Sequence, residues 1–310
     1  SYIYLAFAAD GSTATPSLAN SFATELFTPT TSSNALPVTG MGLKPDFVWA
    51  KYRNGSQSHY LTDSVRGLSS LMYSNSDSAA YTASPYVQSF DSDGITYVNN
   101  LFNRTGADAM VAWGWKAGGT PSINTDGTTT SIVSANQAAG FSVVKYNGNS
   151  TSGATVGHGL DAAPDLVIIK SYNASANWIV YSSPTGNGKY LYLNSFSAYS
   201  SANWFDTSAT TFTLNNTYGD ANTSGRNYIA YNFISKPGYS KVGSYTSNNT
   251  SLTINVGFTP GLVLIKNIDT TGGSWNLFDS KRANGSSLWA NNSRGDADYS
   301  SLFQLNSTGF

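Results

Sequence analysis

The sequence predicts an all-β protein built from three tandem antiparallel β-sandwich-like repeats. Three observations predict it: an internal repeat, a composition that suits strands, and short alternating apolar runs set between turn residues. The repeat is clearest over residues 154–170, ATVGHGLDAAPDLVIIK, and it reappears as VTGMGLKPDFVWAK at 38–51 and INVGFTPGLVLIK at 254–266. In each copy a lysine stands six positions after a proline: Pro45 and Lys51, Pro164 and Lys170, Pro260 and Lys266. Self-similarity of this kind marks a repeat architecture.

Composition points the same way. Charged residues make up 11% of the 310 residues and aromatics 14%, with 20 Tyr and 7 Trp. Aromatic and β-branched residues pack well on a pleated surface, whereas long helices draw on Glu, Lys, Ala and Leu. Glu25 is the sole glutamate. A net charge of −1 with no basic patch argues against nucleic acid as a partner. No apolar run approaches the roughly 20 residues of a membrane-spanning helix, so membrane insertion is not expected. Cysteine is absent, which excludes disulfides and thiolate metal sites.

Taken in order, residues 1–8 (SYIYLAFA) read as a strand too apolar for a solvent-facing edge, and residues 9–20 as a Gly/Ser/Thr/Pro linker. Repeat one spans 21–117 and closes with the strand Met110–Trp115. Residues 118–139 read as a Gly/Ser/Thr linker. Repeat two spans 140–236, with strands expected at Phe141–Tyr146, Leu166–Lys170, Trp178–Tyr181, Tyr190–Leu193, Thr211–Leu214 and Tyr228–Phe233. Period-two alternation, as in Phe141/Val143 against Ser142/Val144, turns one set of side chains into a core.

Repeat three, 237–310, includes Leu262–Lys266, Trp275–Phe278 and Leu302–Leu305 but lacks a last strand. In the other two repeats that strand begins about 65 residues after the landmark proline. Residues 1–8 supply a strand of the missing type: Tyr2, Ile3, Tyr4, Leu5, Ala6 and Phe7 resemble Tyr228–Phe233. An open apolar edge invites pairing, so three arrangements follow. The strand closes repeat three within one chain, as in a propeller-like ring, or it completes repeat three of a neighbour in a head-to-tail polymer. In the third, the 310 residues are a window on a longer array. The polymer and window readings together are favoured slightly over the ring.

Several strings resemble tandem-repeat virion proteins of marine tailed phages, including cyanophages. They are GFSVVKYNGN, APDLVIIK and YIAYNF in repeat two, KPDFVWAKYRNGSQSHYLTDSVRG and VAWGWKAGG in repeat one, and GFTPGLVLIKN and NLFDSKR in repeat three. The resemblance implies a tail-fibre-like or other structural virion protein, located on the virion or outside the cell. It brings no catalytic residue and no cofactor. That family usually places the YIYLAFA-type strand after the third repeat, whereas this chain starts with it.

The candidate chemistry is sparse. Asp63 and Arg66 in repeat one match Asp279 and Arg282 in repeat three. Each set reads as an aspartate–arginine pair or Asx-turn fixing a hairpin. His59, Asp63 and Ser64 are the residue types of a hydrolase triad, but they lie too close in sequence to converge on a substrate. His158, between two glycines, reads as a turn histidine. Asp91 and Asp93, and Asp296 and Asp298, offer oxygen ligands without the bidentate glutamate of a calcium loop, so no metal is expected. Lys51, Lys170 and Lys266 read as edge guards at strand ends. Trp204 and Trp289 lie near Asn and Ser and are the candidates for stacking on a glycan, while the remaining tryptophans read as core. Sequons at Asn54, Asn103 and Asn222 follow from composition.

What recurs is turn, strand and proline, with no shared nucleophile or base. The expected function is therefore a non-enzymatic structural virion component that assembles with copies of itself. One alternative is an adhesin module for a host-surface glycan; another is a polysaccharide-degrading enzyme, which needs two carboxylates facing across a cleft.

Overall fold

The computed structural model describes residues 1–29, 35–98, 101–102, 108–215, 220–248 and 250–310; the sequon at Asn103 lies outside them. Strand β1 is Tyr2–Ala8. The first repeat holds β2 (Phe22–Phe27), β3 (Ala35–Thr39), β4 (Phe47–Tyr52), β5 (Tyr60–Asp63), β6 (Val87–Asp91), β7 (Gly94–Val98) and β8 (Met110–Trp115). Next come β9 (Ser122–Asn124) and β10 (Ser131–Asn136). The second repeat holds β11 (Phe141–Asn147), β12 (Ala154–Gly157), β13 (Leu166–Ser171), β14 (Ile179–Ser182), β15 (Lys189–Tyr192), β16 (Ser200–Ser201), β17 (Phe205–Thr207), β18 (Thr211–Leu214) and β19 (Asn227–Phe233). The third holds β20 (Ser240–Tyr245), β21 (Pro260–Asn267), β22 (Trp275–Asp279), β23 (Ser286–Trp289) and β24 (Ala297–Asp298). The fold is all-β, its sheets are antiparallel, and none closes into a barrel.

Each repeat has a main sheet of the same order. It reads β2-β8-β4-β5 in the first, β11-β19-β13-β14-β15-β16 in the second and β20-β1-β21-β22-β23-β24 in the third. Facing sheets β3-β7-β6 and β12-β18-β17 complete the first two lobes. The tight β6–β7 hairpin requires Gly94 at φ +142, where a Cβ would lie 2.0 Å from the carbonyl oxygen of Val38. In the third lobe the facing layer is reduced to bridges such as Asn255 with Gly309.

Strand β1 takes the place in the third sheet that β8 and β19 take in theirs. It pairs with β20 from Tyr2↔Tyr245 to Phe7↔Ser240, and with β21 from Tyr2↔Asn267 to Phe7↔Leu262. Within the single chain the third sheet is thus completed by its own β1, as in the ring arrangement. The ring is not a propeller of single sheets, because the first two lobes are double-layered.

Period two explains why the landmark strands are buried on both faces. In β4, Phe47 and Trp49 enter a core shared by all three lobes, while Val48, Ala50 and Tyr52 enter a core belonging to the first lobe alone. In β1, Ile3, Leu5 and Phe7 enter the shared core, and Tyr4, Ala6 and Ala8 the third lobe's own. Full burial of such a large apolar side chain contributes about 1.5–3 kcal/mol. Three residues in register, Phe7, Trp115 and Phe233, meet at the centre. Their rings lie 5.7 Å (Phe7–Trp115), 5.8 Å (Phe7–Phe233) and 6.5 Å (Trp115–Phe233) apart.

Two expectations are corrected. Residues 118–139 are not a plain linker: β9 and β10 extend the second main sheet, with β10 paired to β11 from Ser131↔Tyr146 to Asn136↔Phe141. Buried Ser131 and Ser134 make this strand look polar in sequence. Leu302–Leu305 is not a strand but turn and irregular backbone, and Leu302 is 79% exposed.

Candidate functional site

The polar residues common to the repeats converge on the contacts between lobes. At the end of β5, Asp63 accepts the backbone N–H of Arg66 at 2.8 Å and its guanidinium Nε at 2.5 Å. Tyr231 of the second lobe donates its hydroxyl to the same carboxylate at 2.8 Å. Burial and the Asp63 carboxylate both push the Tyr231 phenol up, so it stays a donor. At the end of β22 the pattern repeats: Arg282 Nε donates to Asp279 at 2.6 Å, and Trp113 of the first lobe donates its ring N–H at 3.1 Å. Arg282 also reaches the carbonyl of Leu277 and the carboxylate of Asp296. Tyr231 and Trp113 occupy the same register position in β19 and β8. The third such position, in β1, is Leu5, and the third turn has Ser182 in place of aspartate. An apolar side chain replaces the donor where serine replaces the acid.

A second set closes the ring without exception. His59, Trp178 and Trp275 stand just before β5, or just before and at the start of the matching strands β14 and β22. Trp178 Nε1 donates to the carbonyl of Tyr73 at 3.0 Å, Trp275 Nε1 to that of Tyr192 at 2.9 Å, and His59 Nε2 lies 2.9 Å from that of Trp289. Donor and acceptor belong to different lobes in every case. The backbone N–H of each donor residue is held in turn by an asparagine side chain sixteen residues on, Asn75, Asn194 or Asn291. Trp49 Nε1 donates to His59 Nδ1 at 2.8 Å, which assigns the proton to Nε2. Burial, with the Lys51 charge, holds the His59 pKa well below its usual value. His59 is therefore a neutral bridge. Ser64 donates to Asp46 instead, so the three triad residue types do not converge.

The recurrent lysines are corrected from edge guards to interior groups. Lys51, Lys170 and Lys266 are all 0% exposed. They lie on central strands and, among the described residues, bond backbone oxygens: Lys51 to Tyr52 and Gly55, Lys170 to Asp77, Ser171 and Ala176, and Lys266 to Gly273. Burial lowers their pKa values to about 7, about 8 and about 8.

The other candidates are satisfied locally. His158 accepts the N–H of Leu160 and meets the carbonyl of Ser208. Asp93 accepts the N–H groups of Gly40 and Gly42, Asp91 the hydroxyl of Thr96, and Asp298 the N–H of Ser300. Asp296 is held by Arg53 and Arg282. Asn54 accepts the N–H of Ala109, and Asn222 is buried and bonded to residues 149–151. Glu25 lies on β2, 3.9 Å from Lys281. Trp204 is corrected as a glycan platform: it is 1% exposed and packs on Phe205 inside the second lobe. Trp289 is half-buried with the Arg294 guanidinium 4.9 Å over its ring, so that face is taken.

One concave feature stands apart from these. A groove of about 830 Å³ opens on the third lobe, where the facing layer is thin. Tyr2 and Tyr245 line it as a stacked pair, centroids 5.0 Å apart and planes at 6°. Tyr299, Phe303, Thr250 and Asn276 line it too. Sequence reasoning placed Tyr2 only in a pairing strand and passed over Tyr245. The strand missing at the end of repeat three gave no signal of it, because β1 fills that place in the main sheet; what is thin here is the facing layer.

Residues 17–310 match the family model described as a domain of unknown function, DUF7483, which leaves β1 outside the matched region. No curated protein and no solved structure matches the chain.

Proposed function

The chain belongs to the DUF7483 family, and we propose that it is a non-enzymatic structural component of a virion, a tail-fibre or appendage unit for assembly and adhesion. The observation that carries this is the use made of the recurrent polar side chains. Each group that repeats is turned inward and bonded: the Asp–Arg turns to aromatic donors of another lobe, the His59/Trp178/Trp275 set to carbonyls of another lobe, the lysines to backbone oxygens. Such groups make a rigid block rather than a reactive centre. The resemblance of the repeat strings to marine phage virion proteins supplies the setting.

Immunogold labelling tests it. An antibody raised against this chain labels the tail or an appendage of purified phage particles that carry the gene. Label confined to the cytosol of infected cells and absent from particles overturns the proposal, as does release of reducing sugar from host envelope by the purified chain. A glycan-binding role is the second reading, favoured by the aromatic groove of the third lobe.

A further inference from the structure

We propose that the groove of the third lobe binds a neutral oligosaccharide, with Tyr2 and Tyr245 as its stacking platform. This deepens the adhesive part of the proposed function and rests on it. The groove exists because the third lobe differs from the other two. In the first lobe a facing sheet seats Val87, Ile95 and Tyr97 against the inner face of the main sheet, and in the second Phe205 and Phe212 do so. In the third, no such sheet lies over the inner face of β1, β21 and β22 among the described residues; Phe258, Phe303 and Phe310 cover part of it, and the groove runs beside them, bordered by Ile265 and Phe278.

The lining selects the ligand class. No described side chain in it carries a charge, so neither a phosphate, a sulfate nor an acidic sugar finds a counter-ion there. Rings and small hydroxyl or amide groups alternate instead. Tyr2 and Tyr245 are half-buried, held in place by mutual stacking and by the pairing of β1 with β20, yet still bordering the groove. A sugar ring presents a C–H face to an aromatic ring and equatorial hydroxyls to its rim. Thr250 Oγ1 donates to Asn248 and keeps its acceptor lone pairs, Asn276 donates to Ser274 and accepts from Ser287 and keeps a second N–H, and neighbouring serines line the groove beside them. The volume falls within the range of about 300–1,000 Å³ for ligand sites.

Calorimetric titration of the purified chain with cellohexaose, maltohexaose and chitohexaose tests this, with an oligogalacturonate hexamer as the anionic control. At least one neutral hexasaccharide is expected to bind. Tyr245→Ala and Thr250→Arg should each weaken it at least tenfold, while Thr250→Arg, on an exposed loop, leaves the unfolding temperature unchanged. If Tyr245→Ala fails to fold, Thr250→Arg alone decides. No neutral binding at millimolar concentration, binding that survives Thr250→Arg, or equal binding of the anionic hexamer overturns the inference. Absence of the chain from particles would remove the virion reading and leave this titration standing; absence of glycan binding would do the reverse.

Discussion

Two of the three lobe contacts are sealed by a buried carboxylate and the third is not. Asp63 with Tyr231, and Asp279 with Trp113, place an ion pair and an aromatic donor between lobes. At the matching place between the third lobe and the second stand Leu5 and Ser182, and Ser182 Oγ is buried without a hydrogen-bond partner. The same backbone frame therefore tolerates either a complete charged set or one without a charge, in which the only unpaired group among the described residues of the pair is a small serine hydroxyl. A half-complete set is the costly state, since it leaves a charge or a donor unpaired away from water. Acid and donor are present together or absent together, which is the pattern expected if the cost of a lone partner decides what each position holds.

The largest test of this comparison is Asp63→Ala. It leaves Arg66 buried without its carboxylate, and breaking a buried pair in this way costs about 3–5 kcal/mol. Urea unfolding should show that loss as a lower midpoint; a change under 1 kcal/mol would mean that the pair is not what holds the contact. Second in size is the response to pH. The buried lysines have folded pKa values of about 7 (Lys51) and about 8 (Lys170, Lys266), against about 10.4 in the unfolded chain. Between those values the unfolded state binds more protons, so stability rises with pH from about 7 to about 10 and is flat with respect to these groups below 7. Lys170→Met should remove part of that rise, up to about 3 kcal/mol across the window, and raise stability at pH 7. A pH profile identical to that of the parent would contradict the burial argument. Smallest is Ser182→Ala, expected to change stability by less than about 0.5 kcal/mol or to raise it slightly, because the hydroxyl has no partner to lose. Set beside Asp63→Ala, it measures the difference between the two kinds of contact directly.

Much of the fold was legible because it rests on period two and on turn residues. Phe47, Trp49 and Lys51 fall on one face of their strand and Val48, Ala50 and Tyr52 on the other, and the string YIYLAFA declares itself a missing strand. The linker 118–139 misled because β10 buries serines, whose hydroxyls bond the backbone oxygens of Gly119 and Gly157. The lysines misled because residue type does not report which carbonyls will gather around an ammonium group. Trp204 misled for a related reason: its polar neighbours sit at the surface while its ring turns beneath them. The groove was not legible, since it is made by a thin facing layer and no local pattern encodes an absence.

Strand β1 joins residues more than two hundred positions apart, and its Phe7 stands where all three lobes meet. Pairings of such long sequence separation form late and slowly. Once formed, the strand acts as a clasp: releasing it opens the third lobe and strips the central aromatic contact from the other two. The chain should therefore lose its structure in one cooperative step, with no lobe surviving alone, and its resistance to unfolding should be governed by how seldom that clasp opens.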